Sequence, residues 1–210
     1  MFAIRTEDSS AFRERGFRAI EAVVTDGTED SAAEIERLRD KVAQLEERVR
    51  QLDSLAHQDV LLPIPNRRGF LRELESLIGR VSRYGESAAM LFVDIDGLKR
   101  INDSFGHKAG DQALGEVARA LTEGVRKSDC VARLGGDEFG VLLAHATQAT
   151  ARDTAERLAE RIEAAQILCD GNPLKLGVAV GVTMIDGGDT PDMVIARADC
   201  AMYEEKSAAA

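Results

Sequence analysis

Between residues 31 and 58 the apolar positions Ile35, Leu38, Val42, Leu45, Val49, Leu52 and Ala56 fall at alternating spacings of three and four. Such a period predicts a helix that supercoils with a partner, and β-branched residues at a with leucine at d favour a parallel two-stranded coil. The flanking charges agree. Paired in register, two copies would set Glu34 against Arg39, Lys41 against Glu46 and Arg48 against Asp53, each of opposite sign. A lone amphipathic helix lying on its own domain would carry a wider apolar stripe. About three heptads make a marginal coil, so the following domains or the preceding segment are expected to assist. In residues 1–30, Phe12, Phe17, Ile20, Val23 and Val24 fit a docking segment for an unidentified protein and a frayed arm equally well.

After residue 58 the period changes repeatedly. Pro63 and Pro65 stop the helix and hold the residues before them extended. Residues 66–83 predict a helix with Phe70, Leu71, Leu74, Leu77, Ile78 and Val81 inward, and residues 88–94 a buried strand. Helices are expected over 97–105 and 108–125, a hairpin over 130–134 and 139–143, a helix over 147–166 and a strand over 176–184. A final helix over 191–206 carries Pro191 and Asp192 in its first turn. This order predicts an α+β domain, a mainly antiparallel sheet flanked by helices. The division expected is therefore 1–30, an N-terminal segment; 31–58, a dimerising coil; and 59–210, a catalytic domain.

Two strand ends carry the chemistry. The run Met90-Leu91-Phe92-Val93-Asp94-Ile95-Asp96 ends in aspartates, and Gly135-Gly136-Asp137-Glu138 breaks the hairpin between apolar flanks. Carboxylates ending a central strand are costly to desolvate unless a cation or donors meet them. If the two elements are neighbours, Asp94 and Asp137 converge with the Ile95 carbonyl on a hard cation such as Mg²⁺ holding a phosphate. Gly135 and Gly136 are free to take positive φ and let a triphosphate approach the backbone. Asp137 and Glu138, being consecutive, should point to opposite sides.

The formal charge of −10 argues against a nucleic-acid or anionic-membrane binder. No apolar run reaches spanning length and no signal peptide opens the chain, so membrane insertion is not expected. Cys130, Cys169 and Cys200, odd in number and outside any motif, read as reduced core residues of a cytoplasmic protein.

Gly135-Gly136-Asp137-Glu138-Phe139, Asp94-Ile95-Asp96-Gly97-Leu98-Lys99-Arg100-Ile101-Asn102-Asp103, Gly106-His107-Lys108-Ala109-Gly110-Asp111 and Ala198-Asp199-Cys200-Ala201-Met202-Tyr203-Glu204-Glu205-Lys206 occur in that family's order, within residues 59–206, in a chain that resembles the GGDEF domains, the diguanylate cyclases. The resemblance implies a fold similar to the palm of nucleotide polymerases and class III cyclases. It also implies condensation of two GTP into cyclic di-GMP across a homodimer. Asp94, the Ile95 carbonyl, Asp137 and Glu138 would bind Mg²⁺, with Mn²⁺ as a substitute; Glu138, beside Asp137, would alternatively assist deprotonation of the attacking hydroxyl. Lys99 and Lys206 would reach the phosphates beside Gly135 and Gly136, and Asn102 and Asp111 would recognise guanine. Outside the motif, Asn102 reads as a helix cap and Asp111 as an N-cap, and His107 as a structural hydrogen-bonding residue rather than a catalytic one. Arg126 and Asp129, with Arg157, match the family's inhibitory product site.

Two departures stand out. Leu62 and Pro63 replace the usual Thr-Gly, which predicts a stiffer junction, and the arginine usual four residues after Lys206 is replaced by Ala210, the last residue. The latter predicts weaker phosphate binding or further chain beyond it. The rival reading is a catalytically silent domain that binds cyclic di-GMP or GTP and signals through the coil; such domains usually have damaged hairpin acids, which this chain retains.

Overall fold

The computed structural model describes residues 34–51, 53, 55–165, 167–169 and 172–209. The chain divides after Asp53 into two units. In the first, residues 34–51 form helix α1. Its stripe residues Ile35, Leu38, Val42, Leu45 and Val49 are 51–64% exposed, so the heptad face is unburied within the single chain. On the helix surface Glu47 accepts from Arg50 at 2.9 Å and from Gln51 at 3.0 Å. The expectations for residues 1–30 and for Leu52 lie outside the described residues.

The second unit runs α2 (Arg67–Tyr84), β1 (Ala88–Ile95), α3 (Leu98–Phe105), α4 (His107–Gly124), β2 (Cys130–Arg133), β3 (Glu138–Ala144), α5 (Gln148–Glu163), β4 (Ile167–Cys169), β5 (Asn172–Leu174), β6 (Val178–Ile185) and α6 (Pro191–Ala209). Its main sheet has the order β2-β3-β1-β6 and is antiparallel throughout. The expected α+β class is therefore the observed one. The β4-β5 hairpin is additional: three-residue strands are too short for alternation to announce them.

β1, paired on both edges, sorts its side chains strictly by parity. Leu91, Val93 and Ile95 pack with Phe139 and Val141 against the layer of α4 and α5. Met90 and Phe92 pack with Phe70, Leu74, Ala198 and Met202 on the layer of α2 and α6. On this second face α6 lies directly on β6. A Cβ at Gly181 would fall well inside contact distance of the Ala198 carbonyl and the Met202 nitrogen, so only glycine permits the approach. Arg197 then ties α6 down, donating to Asp189 (2.7 and 2.8 Å), the Met184 carbonyl and Thr183. That pairing holds the Asp189 carboxyl below its ordinary range.

The junction before α2 is closely tied. Asp59 Oδ1 accepts from the backbone of Leu61 and Leu62, while Leu62 and Ile64 are buried. Asn66 caps α2 through Arg68 and Gly69 and donates its amide to the Ala56 and Gln58 carbonyls.

The cysteine expectation needs correcting. Cys200 is exposed because it faces outward from α6, and Cys130 is half-buried; both are free thiols. Burial, helped by the charge of Glu73, pushes the Cys130 thiol up to about 11. Under native conditions at pH 8 a maleimide is expected to label Cys200 and spare Cys130, read by peptide mass, since the thiolate is the reacting species. Among the described residues no helix is long and apolar enough to cross a membrane.

Candidate active site

The site begins with a strand register. Asp94 on β1 lies directly opposite Glu138, the first residue of β3, so both carboxylates share the face covered by α2 and α6. Desolvation, together with the charges of Asp137, Asp94 and Asp199, raises the Glu138 carboxyl above its ordinary value, and Arg67 opposes the shift. Lys206 in the last turns of α6 reaches Asp94 at 2.5 Å and Asp96 at 3.5 Å. Burial works against its ammonium, but the two aspartates prevail and hold it above the usual lysine range.

The tip is held from three sides. Leu134 N–H donates to the Glu138 carbonyl at 2.8 Å, and Ile95 N–H donates to the Asp137 carbonyl at 3.1 Å. Arg133 donates to the carbonyls of Gly135 (3.0 Å) and Gly136 (2.7 Å) and pairs with Asp59 at 3.4 Å. Sequence reading assigned no role to Arg133; the signal was its place at the head of the motif, but its partner Asp59 is distant in sequence. Asp96, Asp199 and Arg67 were likewise unassigned.

The two glycines differ from each other. Neither Gly135 nor Gly136 has positive φ. A Cβ at Gly135 would strike the Glu138 carboxylate, so this glycine makes room for the acid of its own hairpin. Gly136 has open space around it and borders a cavity.

That cavity, about 500 Å³, is lined by Lys99, Asn102, Asp111, Arg133, Gly136 and Asp137 among others. Asp137 thus faces the cavity while Glu138 sits beside Asp94, the opposed pair that alternation predicts. Capping accounts for neither guanine candidate. Asp111 lies inside α4, whose N-cap is Gly106, and the Asn102 backbone carbonyl, not its side chain, takes the Gly106 N–H. His107 also lines the cavity.

The acidic end suits a hard cation. Asp94, Asp137 and Glu138 offer oxygen donors, and the Lys206 ammonium already answers the charge at Asp94. Ile95 is buried at the end of β1, so only its backbone is available to a ligand. Among the described residues no three acid, histidine or cysteine side chains converge on one point.

Arg126, Asp129 and Arg157 do come together, at a separate cavity of about 130 Å³. Asp129 is held by the backbone N–H groups of Arg126 (2.9 Å) and Ala144 (3.2 Å), and Arg157 donates to the Gly124 carbonyl at 2.9 Å. His145 lines the same cavity with φ 53°.

Comparison with known proteins identifies the family and the fold. The profile of the family described as "Diguanylate cyclase, GGDEF domain" matches residues 56–210. Diguanylate cyclase TpbB of Pseudomonas aeruginosa is 38% identical over 180 residues, 85% of this chain and 41% of that protein. The chain thus spans about two fifths of that relative. Diguanylate cyclase SiaD of Pseudomonas aeruginosa, solved with its activator SiaC, superposes with TM-score 0.70 at 29% identity, covering 96% of this chain and 80% of that one. The coiled coil and GGDEF domain of DgcB from Caulobacter crescentus, solved with cyclic di-GMP, gives 0.73 at 26% identity, covering 90% and 95%.

Proposed function

We propose that this chain, which belongs to the GGDEF domain family of diguanylate cyclases, condenses two GTP into cyclic di-GMP with release of two pyrophosphates. Each 3′-hydroxyl attacks the α-phosphate of the other nucleotide, so alignment and charge neutralisation dominate the barrier. The observation that carries this reading is one turn shared by two sites. Gly136 and Asp137 border the cavity of Asn102 and Asp111 on one side, and the next residue, Glu138, meets Asp94 on the other.

In this reading Asp111 accepts from the guanine N1 and N2 donors and Asn102 meets its acceptor, which favours GTP over ATP. Lys99 and Lys206 take the phosphates. Asp94, Asp137, Glu138 and the Ile95 carbonyl would hold Mg²⁺, or Mn²⁺ in its place, with Asp137 turning from the cavity side to join the other two acids, and the ion would supply neutralisation of phosphate charge. Glu138 alternatively leaves the ion and receives the hydroxyl proton, its cation-free carboxyl being raised by desolvation and by Asp137, Asp94 and Asp199. Product-stripped protein incubated with GTP and Mg²⁺, and read by mass, is expected to yield cyclic di-GMP. No product with tight cyclic di-GMP binding would identify a silent binding module instead.

One domain presents one nucleotide, so the reaction needs two. The exposed heptad face of α1 supports a parallel homodimer that sets the effective concentration of the second half-site. Val42→Asp with Leu45→Asp is expected to make specific activity fall at least about tenfold on dilution from micromolar to nanomolar protein; unchanged activity would dismiss the coil as dimeriser. The enzyme would act in the cytoplasm, with residues 1–30 open to a protein partner.

Product inhibition fits the Arg126, Asp129 and Arg157 cavity, where guanidinium groups grip phosphate and the carboxylate takes a guanine edge. Arg126→Ala is expected to weaken inhibition by added cyclic di-GMP at least about tenfold while the initial rate holds. Inhibition that stays as strong in the variant would refute this site.

A further inference from the structure

Asp96 has no part in the reaction outlined above, yet it stands beside the Asp94 and Lys206 pair. The Lys206 ammonium lies 2.5 Å from Asp94 Oδ1 and 3.5 Å from Asp96 Oδ1. The Asp94 side chain is 17% exposed and that of Asp96 53%. The lysine therefore neutralises the inner, poorly solvated carboxylate while touching the outer, well solvated one. An ammonium seated on Asp94 competes with any cation for the same oxygen, and while seated there it is not on a phosphate.

We propose that Lys206 is a displaceable counter-ion. Without nucleotide its ammonium holds the cation's place at Asp94. A divalent cation arriving at Asp94 sends it to Asp96 and the incoming triphosphate, so cation entry delivers the phosphate-binding lysine. This rests on Asp94 being a cation ligand, as proposed above.

The surroundings make the transfer local. Arg197 and the contact of Gly181 with Ala198 and Met202 fix α6 in the turns just before Lys206, so the ammonium moves by rotation of its own flexible stem. Asp96 is anchored through its backbone, N–H to the Gly177 carbonyl at 2.9 Å, and its carboxylate lies within reach of the displaced charge. Lys99, the other lysine of the site, forms no ion pair among the described residues and provides the comparison.

The test is Mn²⁺ binding to nucleotide-free protein, read by the paramagnetic resonance of free Mn²⁺. Lys206→Met is expected to tighten Mn²⁺ about tenfold and, in the presence of GTP, to weaken nucleotide binding. Lys99→Met is expected to leave Mn²⁺ affinity unchanged. Asp94→Asn should weaken Mn²⁺ and, combined with Lys206→Met, remove the tightening, the non-additivity that marks a direct pair. Equal or weaker Mn²⁺ binding by Lys206→Met, with Asp94→Asn still harmful, would overturn the counter-ion role alone. Tightening by Lys99→Met as large as that by Lys206→Met would reduce it to a general field and overturn it too. An Asp94→Asn protein that binds Mn²⁺ normally would overturn the cation reading, and this proposal with it.

Discussion

Glu138→Gln is expected to lower cyclic di-GMP formation about 10³-fold, within the range that a positioned proton acceptor contributes, while leaving the protein folded. The amide keeps the shape of the carboxylate against Gly135 but cannot take a proton or serve as an anionic ligand. Desolvation and the neighbouring Asp137, Asp94 and Asp199 raise the wild-type carboxyl above its ordinary value. A raised folded value means that Glu138 favours folding fully below its unfolded pKa, and that this contribution is lost as pH rises through the folded value. At pH 7, without divalent cation, wild type carries the repulsion and the variant does not. The variant should therefore melt a few degrees higher, and its advantage should disappear toward pH 4. Wild-type turnover, which needs the ionised form, should fall at acid pH, and at a lower pH than the cation-free carboxyl titrates because a bound cation favours the carboxylate. Calorimetry and a pH–rate profile check the two halves separately. A variant that keeps wild-type turnover would remove Glu138 from the chemistry.

Gly181→Ala is expected to cost about 3 kcal/mol, the upper part of the usual overpacking range. The added methyl meets the Ala198 carbonyl and the Met202 nitrogen, which belong to helix backbone and cannot rotate aside. Relief requires α6 to rise off β6, which strains the Arg197 bonds to Asp189 and lifts Lys206 from Asp94. A loss of that size lowers Tm by roughly 6–12 °C in a domain of this length. Gly136→Ala is the matched control. With open space around that position, stability should stay within about 0.5 kcal/mol of wild type, whereas GTP affinity should fall because the methyl enters the cavity. Equal melting of wild type and Gly181→Ala would mean that α6 is not seated by this contact.

The order of the principal elements was legible from periodicity alone, because long amphipathic stretches such as residues 67–84 and the apolar run 88–95 leave few alternatives. The heptad of residues 35–49 and the acidic ends at Asp94 and Asp137 were equally visible, since spacing and charge are properties of the chain itself. Tertiary structure decided what depended on distant partners. Register put Glu138, rather than Asp137, beside Asp94. Packing gave Gly135 to the Glu138 carboxylate and left Gly136 to the cavity, although neighbouring glycines look alike in a sequence. Arg133 gained its role only when Asp59 reached it across the fold, and Lys206 met Asp94 only because Gly181 let α6 lie on the sheet. A sequence fixes which groups are present and their local period; which charges share a solvent-poor face follows from strand pairing and close packing, which join residues far apart in the chain.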